Sequence, residues 1–131
     1  MMLTLLPLLV LAVPATLVLA YWIPVWQTRR RVGNPAPDLG GLSGVPASGK
    51  RVWLFFHNPS CWRCRLVMPA VDALARRGAQ VIPVDVRSRD ELRRRFGVRT
   101  MPAVVAVEHG QIAEVLVGPR LREALARIVA G

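Results

Sequence analysis

Cys61 and Cys64 are the only thiols in the chain, and two residues separate them. A disulfide-stapled secreted scaffold carries more cysteines at wider spacing. A bridge across so short a loop also does little to restrict the unfolded chain. Chemistry is the better reason for the pair. Disulfide exchange needs one accessible thiolate and a second thiol near enough to resolve the mixed disulfide. A C-x-x-C pair that opens a helix supplies both. The first sulfur meets the free N–H groups and the positive dipole end of the helix, which favour negative charge. The second follows one turn later on the same side. Cys61 is therefore the expected nucleophile and Cys64 the resolving thiol. Arg63 and Arg65 are expected to lower the thiolate pKa by charge proximity. A stabilised thiolate favours the reduced pair and so an oxidising role. Three other uses stay open from these residues alone. They are half a zinc site, for which only His57 and His109 could add ligands, a Cu(I) carrier through both thiolates, and a redox-inactive pair in the binding subunit of a membrane assembly.

The surrounding elements must hold that pair at a helix start. Val52 to His57 (VWLFFH) is a short apolar run suited to a buried strand. Asn58-Pro59-Ser60 breaks it, with Ser60 placed as the N-cap of the next helix. From Cys61 to about Arg77, Leu66, Val67, Ala70, Val71, Leu74 and Ala75 recur at helical spacing. Pro69 is expected to kink that helix and Gly78 to end it. Gln80 to Val86 reads as a second buried strand, against the presence of Pro83. Arg89 to Phe96 reads as a short charged helix stopped by Gly97. Ala103 to Glu108 is a third strand, His109-Gly110 a tight turn and Gln111 to Val117 a fourth strand. After Gly118-Pro119, Arg120 to Val129 closes the chain as a helix with Leu121, Leu125, Ile128 and Val129 on its apolar face. The first two strands, joined through a helix, are expected to be parallel and the last two antiparallel.

The N-terminus differs in kind. No charged side chain occurs from Met1 to Gln27, and all 18 Lys and Arg lie from Arg29 onward. The overall 53% hydrophobic content and net charge of +10 thus describe two regions, an apolar segment and a basic soluble domain. As a helix, Leu3 to Trp26 extends roughly 36 Å, enough to cross a hydrocarbon core of about 30 Å with some tilt. Tyr21, Trp22 and Trp26 gather at one end, where amphipathic rings prefer the membrane–water interface. Pro7, Pro14 and Pro24 are tolerated better in a membrane helix than in a soluble one. A cleaved signal peptide is the competing reading, with a weak site after Ala20. The missing basic residues at the start and the long apolar run favour a retained anchor. The expected organisation is an anchor over 1–28, a basic Pro- and Gly-rich linker over 29–50 and a catalytic domain over 51–131. Arg29-Arg30-Arg31 directly follows the span and places the domain in the cytoplasm by the positive-inside rule.

Several further stretches carry a resemblance. They are VWLFF before the pair, Cys61-Trp62-Arg63-Cys64 itself, Pro69 five residues after the second cysteine, VIPVDV, FGVRTMPAVV and HGQIAEVLVG. Together they make the chain similar to the thioredoxin superfamily from about Arg51 to the C-terminus. The resemblance implies an α/β thioredoxin-like fold, a central mixed sheet flanked by helices, and the apolar run sets an expected N-terminal transmembrane helix before it. It implies protein thiol–disulfide exchange with no cofactor. It also implies that Met101-Pro102 is the family's cis peptide, an uncommon bond, in a loop beside Cys61 that pairs with substrate backbone. Thr100, Met101 and Pro102 become substrate-binding candidates, joined by Trp62, which is expected to be exposed between the cysteines. The lead-in VGNPAPDL resembles membrane-anchored thioredoxin-like proteins of the TlpA and MauD kind. That likeness implies an inner-membrane protein with a periplasmic domain, against the arginine cluster.

Three departures from the family pattern matter. Trp-Arg stands between the cysteines where reducing thioredoxins have Gly-Pro. Phe55 replaces the buried acid that accepts a proton from the resolving thiol, and His57 is the candidate substitute. Ser60 replaces the tryptophan that precedes the first cysteine. Elsewhere the residues read as structural. Trp53 is a core or sheet residue, Asp85 a turn residue, Met68 a core residue, Met101 a loop-packing residue and His109 an exposed turn residue. Arg93-Arg94-Arg95 reads as a solvated helix face and not a nucleic-acid site. The expected partners are protein dithiols and disulfides.

Overall fold

The run VWLFFH is apolar at all but its last position because it forms a strand covered on both faces. The computed structural model describes residues 2–37, 39, 42, 45 and 49–130. Its elements are α1 (Met2–Arg29), β1 (Val52–His57), α2 (Trp62–Arg76), β2 (Gln80–Asp85), α3 (Asp90–Phe96), β3 (Ala103–Glu108), β4 (Gln111–Val117) and α4 (Leu121–Ala130). Among the described residues the strands form one sheet in the order β2-β1-β3-β4. β1 pairs with β2 in parallel and with β3 antiparallel, and β3 and β4 form an antiparallel hairpin. The thioredoxin-like mixed sheet expected from the sequence is present. Pro83 is accommodated because β2 lies at the sheet edge, where a missing N–H breaks no ladder.

The pleat sorts the core into two layers. Leu54 and Phe56 point to one face, with Phe96, Val98 and Val105. Trp53 and Phe55 point to the other, with Cys64, Val67, Val71, Leu74, Leu121 and Leu125 from α2 and α4. Leu54, Phe55 and Phe56 are fully buried, each contributing about 1.5–3 kcal/mol of transfer free energy. The buried face of α2 is Cys64, Val67, Val71 and Leu74, a stripe of one helical period. Leu66 and Met68 lie outside that stripe and are exposed. The placement of Met68 in the core is thus corrected: it lies on the solvent side of the helix. On α4, Leu121 and Leu125 are buried, and Ile128 and Val129 pack at the margin.

The arginine run is internally paired. Arg93 and Arg94 both bind Asp90, at 2.7 and 3.0 Å, and Arg95 binds Glu91.

The last turns of α1 do not project freely from the domain. Val25 and Thr28 are each 1% exposed, and Val25 belongs to the core layer of Leu54 and Phe56. The Thr28 hydroxyl donates to the Pro24 carbonyl at 2.8 Å and accepts from the Arg99 N–H at 3.0 Å. Arg29 Nη2 donates to the Val117 carbonyl at 3.1 Å. Beyond the helix, Gly33 and Ala36 N–H groups bond to the Ile112 and Gly110 carbonyls, each at 2.8 Å. The lead-in therefore runs along β4 here; part of the expected linker lies outside the described residues.

Gly97 shows how tightly this corner is built. It ends α3 with φ 69°, and a Cβ there would run into the Arg31 guanidinium. Gly97→Ala is expected to cost about 1–2 kcal/mol, mainly from the left-handed backbone. The Arg31 side chain can move aside at little cost. Urea unfolding of the variant checks this; an unchanged midpoint refutes it.

Candidate active site

β1 ends at His57 and the chain turns at once. Asn58 makes the turn, its side-chain carbonyl accepting from the Ser60 N–H at 3.0 Å and its backbone carbonyl from the Cys61 N–H at 2.8 Å. α2 then begins at Trp62, so the N-cap is Cys61 and not Ser60 as expected. The cap makes no side-chain hydrogen bond. The first sulfur thus stands at the helix amino end, free of any capping role.

The two thiols occupy unlike environments. Cys61 is half-buried and Cys64 is 3% exposed. Partial burial pushes the Cys61 pKa up, but other contacts outweigh it. The Cys64 side chain and the backbone N–H groups of Cys64 and Arg63 bond to the sulfur, and the Arg63 charge adds to them. The net result lies below the ordinary thiol value. Burial is also the main effect on Cys64, which is pushed up to about 11. The Asn58 backbone opposes this, while hydrogen bonding to Cys61 and repulsion from its charge add to it. The pair therefore holds its first negative charge on Cys61.

Met101-Pro102 is a cis peptide. Met101 packs, with Cys61, against the core layer that contains Cys64. Trp62, Arg63, Thr100, Met101 and Pro102 line a groove of about 380 Å³ together with Gly118, Pro119, Leu121 and Arg122. Trp62 is 61% exposed. The structure thus gathers five of the candidate residues, Trp62, Arg63, Thr100, Met101 and Pro102, along one groove at the start of α2, where Cys61 is the N-cap and hydrogen-bonds with Cys64. Arg65 is exposed on α2, and Arg63 is the arginine whose charge acts on the sulfur. His57 stacks on Phe55 with ring centroids 5.2 Å apart and sits opposite Asp85 in the β1–β2 register. Phe55 is fully buried in the layer that holds Cys64, so no acid reaches the resolving thiol from that position.

One contributor escaped the sequence. Tyr21 of α1 lines the same groove, and Arg63 Cζ lies 6.0 Å from the Tyr21 ring centroid and 5.7 Å from that of Trp62. Tyr21 stands inside an apolar run, where the pattern signals membrane and nothing more. α1 is long and apolar enough to cross a membrane, by length and composition.

Comparison with known proteins agrees with this arrangement. The thioredoxin family model matches residues 43–131. The chain is 31% identical to Thioredoxin H4 of Arabidopsis thaliana over 91 residues, covering 67% of this chain and 76% of that protein. It is 26% identical to the thioredoxin of Bacillus subtilis over 77 residues, covering 56% and 74%. Among solved structures, a single-site mutant thioredoxin from Halobacterium salinarum superposes with a TM-score of 0.56 at 29% identity, over 63% of this chain and 74% of the other. The thioredoxin of Fasciola hepatica gives 0.53 at 28%, over 60% and 81%. A family match over two thirds of the chain, with a cysteine pair at the start of α2 and a cis-proline loop beside it, places this chain in the thioredoxin family.

Proposed function

We propose that this chain is a membrane-tethered thiol–disulfide oxidoreductase that exchanges disulfides with proteins. The observation that carries the reading is the inequality of the two thiols, an ionisable sulfur at the head of α2 and a buried partner one turn on. The Cys61 thiolate attacks one sulfur of a partner cystine, forming a mixed disulfide and releasing the other partner sulfur as a thiolate. Cys64 then loses its proton and attacks Cys61 Sγ. The Cys61–Cys64 bond forms, the second partner sulfur leaves as a thiolate, and two electrons end on the partner, whose thiolates take up the Cys64 proton and one proton from solvent. The same steps run in reverse oxidise a partner dithiol. Trp62 and the Thr100-Met101-Pro102 loop hold the partner segment in the groove, Arg63 tunes the thiolate, and Arg65 and His57 act from further out. No cofactor enters the exchange.

Residues 1–28 are the anchor, 29–50 the lead-in and 51–131 the catalytic domain. The VGNPAPDL lead-in favours the tethered TlpA and MauD kind and a periplasmic domain in the inner membrane. The test is a full-length Cys64→Ser chain, made in a bacterium that has a periplasm. It is expected to accumulate mixed disulfides with other proteins that disappear on reduction. The portion of Cys61 left free is expected to react with a membrane-impermeant maleimide in intact cells. No adducts with any protein would refute the exchange reading. Labelling only after the membrane is opened would put the domain on the cytoplasmic side.

A further inference from the structure

We propose that the partner is an integral membrane protein whose cysteines lie within a few residues of its own span, because the anchor fixes the active groove at the bilayer surface. This rests on the reading above of a membrane-anchored exchanger.

The anchor is bolted to the edge of the site. Thr28 accepts from the N–H of Arg99, the residue before Thr100 of the substrate loop. Val25 lies under Gly118, where an added Cβ would meet its Cγ1 at 3.4 Å. Arg29 holds the carbonyl of Val117. Thr100 and Gly118 both line the groove. With these contacts made on a continuous helix, the domain cannot swing away from the span as it would on a loose linker.

The depth follows from the same helix. Tyr21, Trp22 and Trp26 form the aromatic end of α1, and the side chains before Tyr21 are exposed along its whole length. Such rings settle at headgroup level. Tyr21 is the deepest of the three, roughly 7.5 Å below Trp26 at 1.5 Å per residue. It is also the ring that touches the groove. Headgroup regions are only about 5–8 Å thick on each side, so the groove opens within that layer. Trp62 and Leu66, the latter 52% exposed, continue the apolar surface from the belt to the groove. Arg30, stacked 4.6 Å over Trp26, shares a basic cleft with Arg31 and Arg99, a setting that suits anionic headgroups. A cystine on a globular soluble protein reaches this groove only by pressing that protein's bulk into the headgroups. An extended segment leaving a neighbouring span reaches it directly.

The exchange is the two-electron step already given, with reduced chain and partner cystine becoming oxidised chain and partner dithiol. The test uses full-length chain, reduced, freed of reductant and placed in liposomes with transmembrane peptides. One peptide carries its cystine about three residues beyond the span. The other carries it beyond a spacer of about ten prolines, roughly 30 Å of stiff chain. Oxidation of the chain is followed by alkylation and gel shift. The near cystine is expected to react at least about tenfold faster, through its higher effective concentration. A variant with about 20 Gly/Ser residues inserted between Ala20 and Tyr21 keeps every docking contact but frees the domain by roughly 25 Å. In it the two peptides are expected to react at equal rates. Equal rates with the natural chain overturn the proposal, as does a preference that survives the insertion. A small water-soluble disulfide is run in parallel. Reactivity with it alongside equal peptide rates removes only the surface placement. Inertness towards it removes the redox reading and this inference together.

Discussion

A Cys61→Ser chain is expected to react with a chromogenic aromatic disulfide at least ~10³-fold more slowly than the natural chain. The natural reduced chain releases two chromophores, one when Cys61 attacks and one when Cys64 resolves. Cys64→Ser is expected to release the first and stop. Cys61→Ser loses both, because the remaining sulfur is buried and holds its proton far above neutral pH. The thiolate, not the thiol, is the nucleophile. Misfolding is an unattractive account of such a loss. Cys61 is the N-cap of α2 and makes no side-chain capping bond there, and serine is among the best residues at that position. The far-ultraviolet spectrum and urea midpoint are therefore expected to stay close to those of the natural chain. Fast release from Cys61→Ser would mean that Cys64 attacks first, and the assignment of roles would be reversed.

The thioredoxin-like domain was legible because its signals are local. VWLFFH, AVVAVE and QIAEVLV became strands at the positions their apolar runs mark, and His109-Gly110 turns between the last two with both φ positive. The cysteine pair fell at a helix start because Asn58 and Pro59 cannot continue a strand. The misreadings have physical causes. Ser60 looked like a cap by residue type, but Asn58 draws the Ser60 N–H into a turn and passes the cap to Cys61. Met68 looked buried by hydrophobicity, yet it lies off the Cys64–Val67–Val71–Leu74 stripe. The docking of α1 was invisible. Val25 packs in a protein core while Ile23 and Trp26 beside it are exposed, and hydropathy cannot separate an apolar residue facing lipid from one facing protein. Thr28 and Arg29 read as the polar edge of a span, although their bonds to Arg99 and Val117 tie that edge to the lead-in of the Met101-Pro102 loop and to β4.

The two steps of the exchange are expected to part company with pH. The first needs the Cys61 thiolate, and hydrogen bonds with the Arg63 charge outweigh burial and hold that pKa below the ordinary thiol value. Its rate should fall as pH drops through the lowered value, and should level off at a lower pH than an ordinary thiol's would. The second step needs the Cys64 thiolate. In the mixed disulfide Cys61 carries no charge, so its repulsion of a Cys64 anion is gone. Burial, the larger effect, remains. The Cys64 pKa there should lie below 11 yet above the ordinary value, and Phe55 supplies no base to help. The resolving rate is then proportional to a small thiolate fraction and rises about tenfold per pH unit. Between pH ~6.5 and ~8.5 the second release should accelerate about a hundredfold, and the first should level off at a lower pH than the second. Arg63→Gln should shift the first profile to higher pH and leave the second in place, since that guanidinium acts on Cys61. Rapid-mixing absorbance of the two releases resolves both profiles in one experiment. Two releases that climb in parallel would mean that the thiols share one environment, and the division of labour between an ionisable attacker and a buried resolver would not hold.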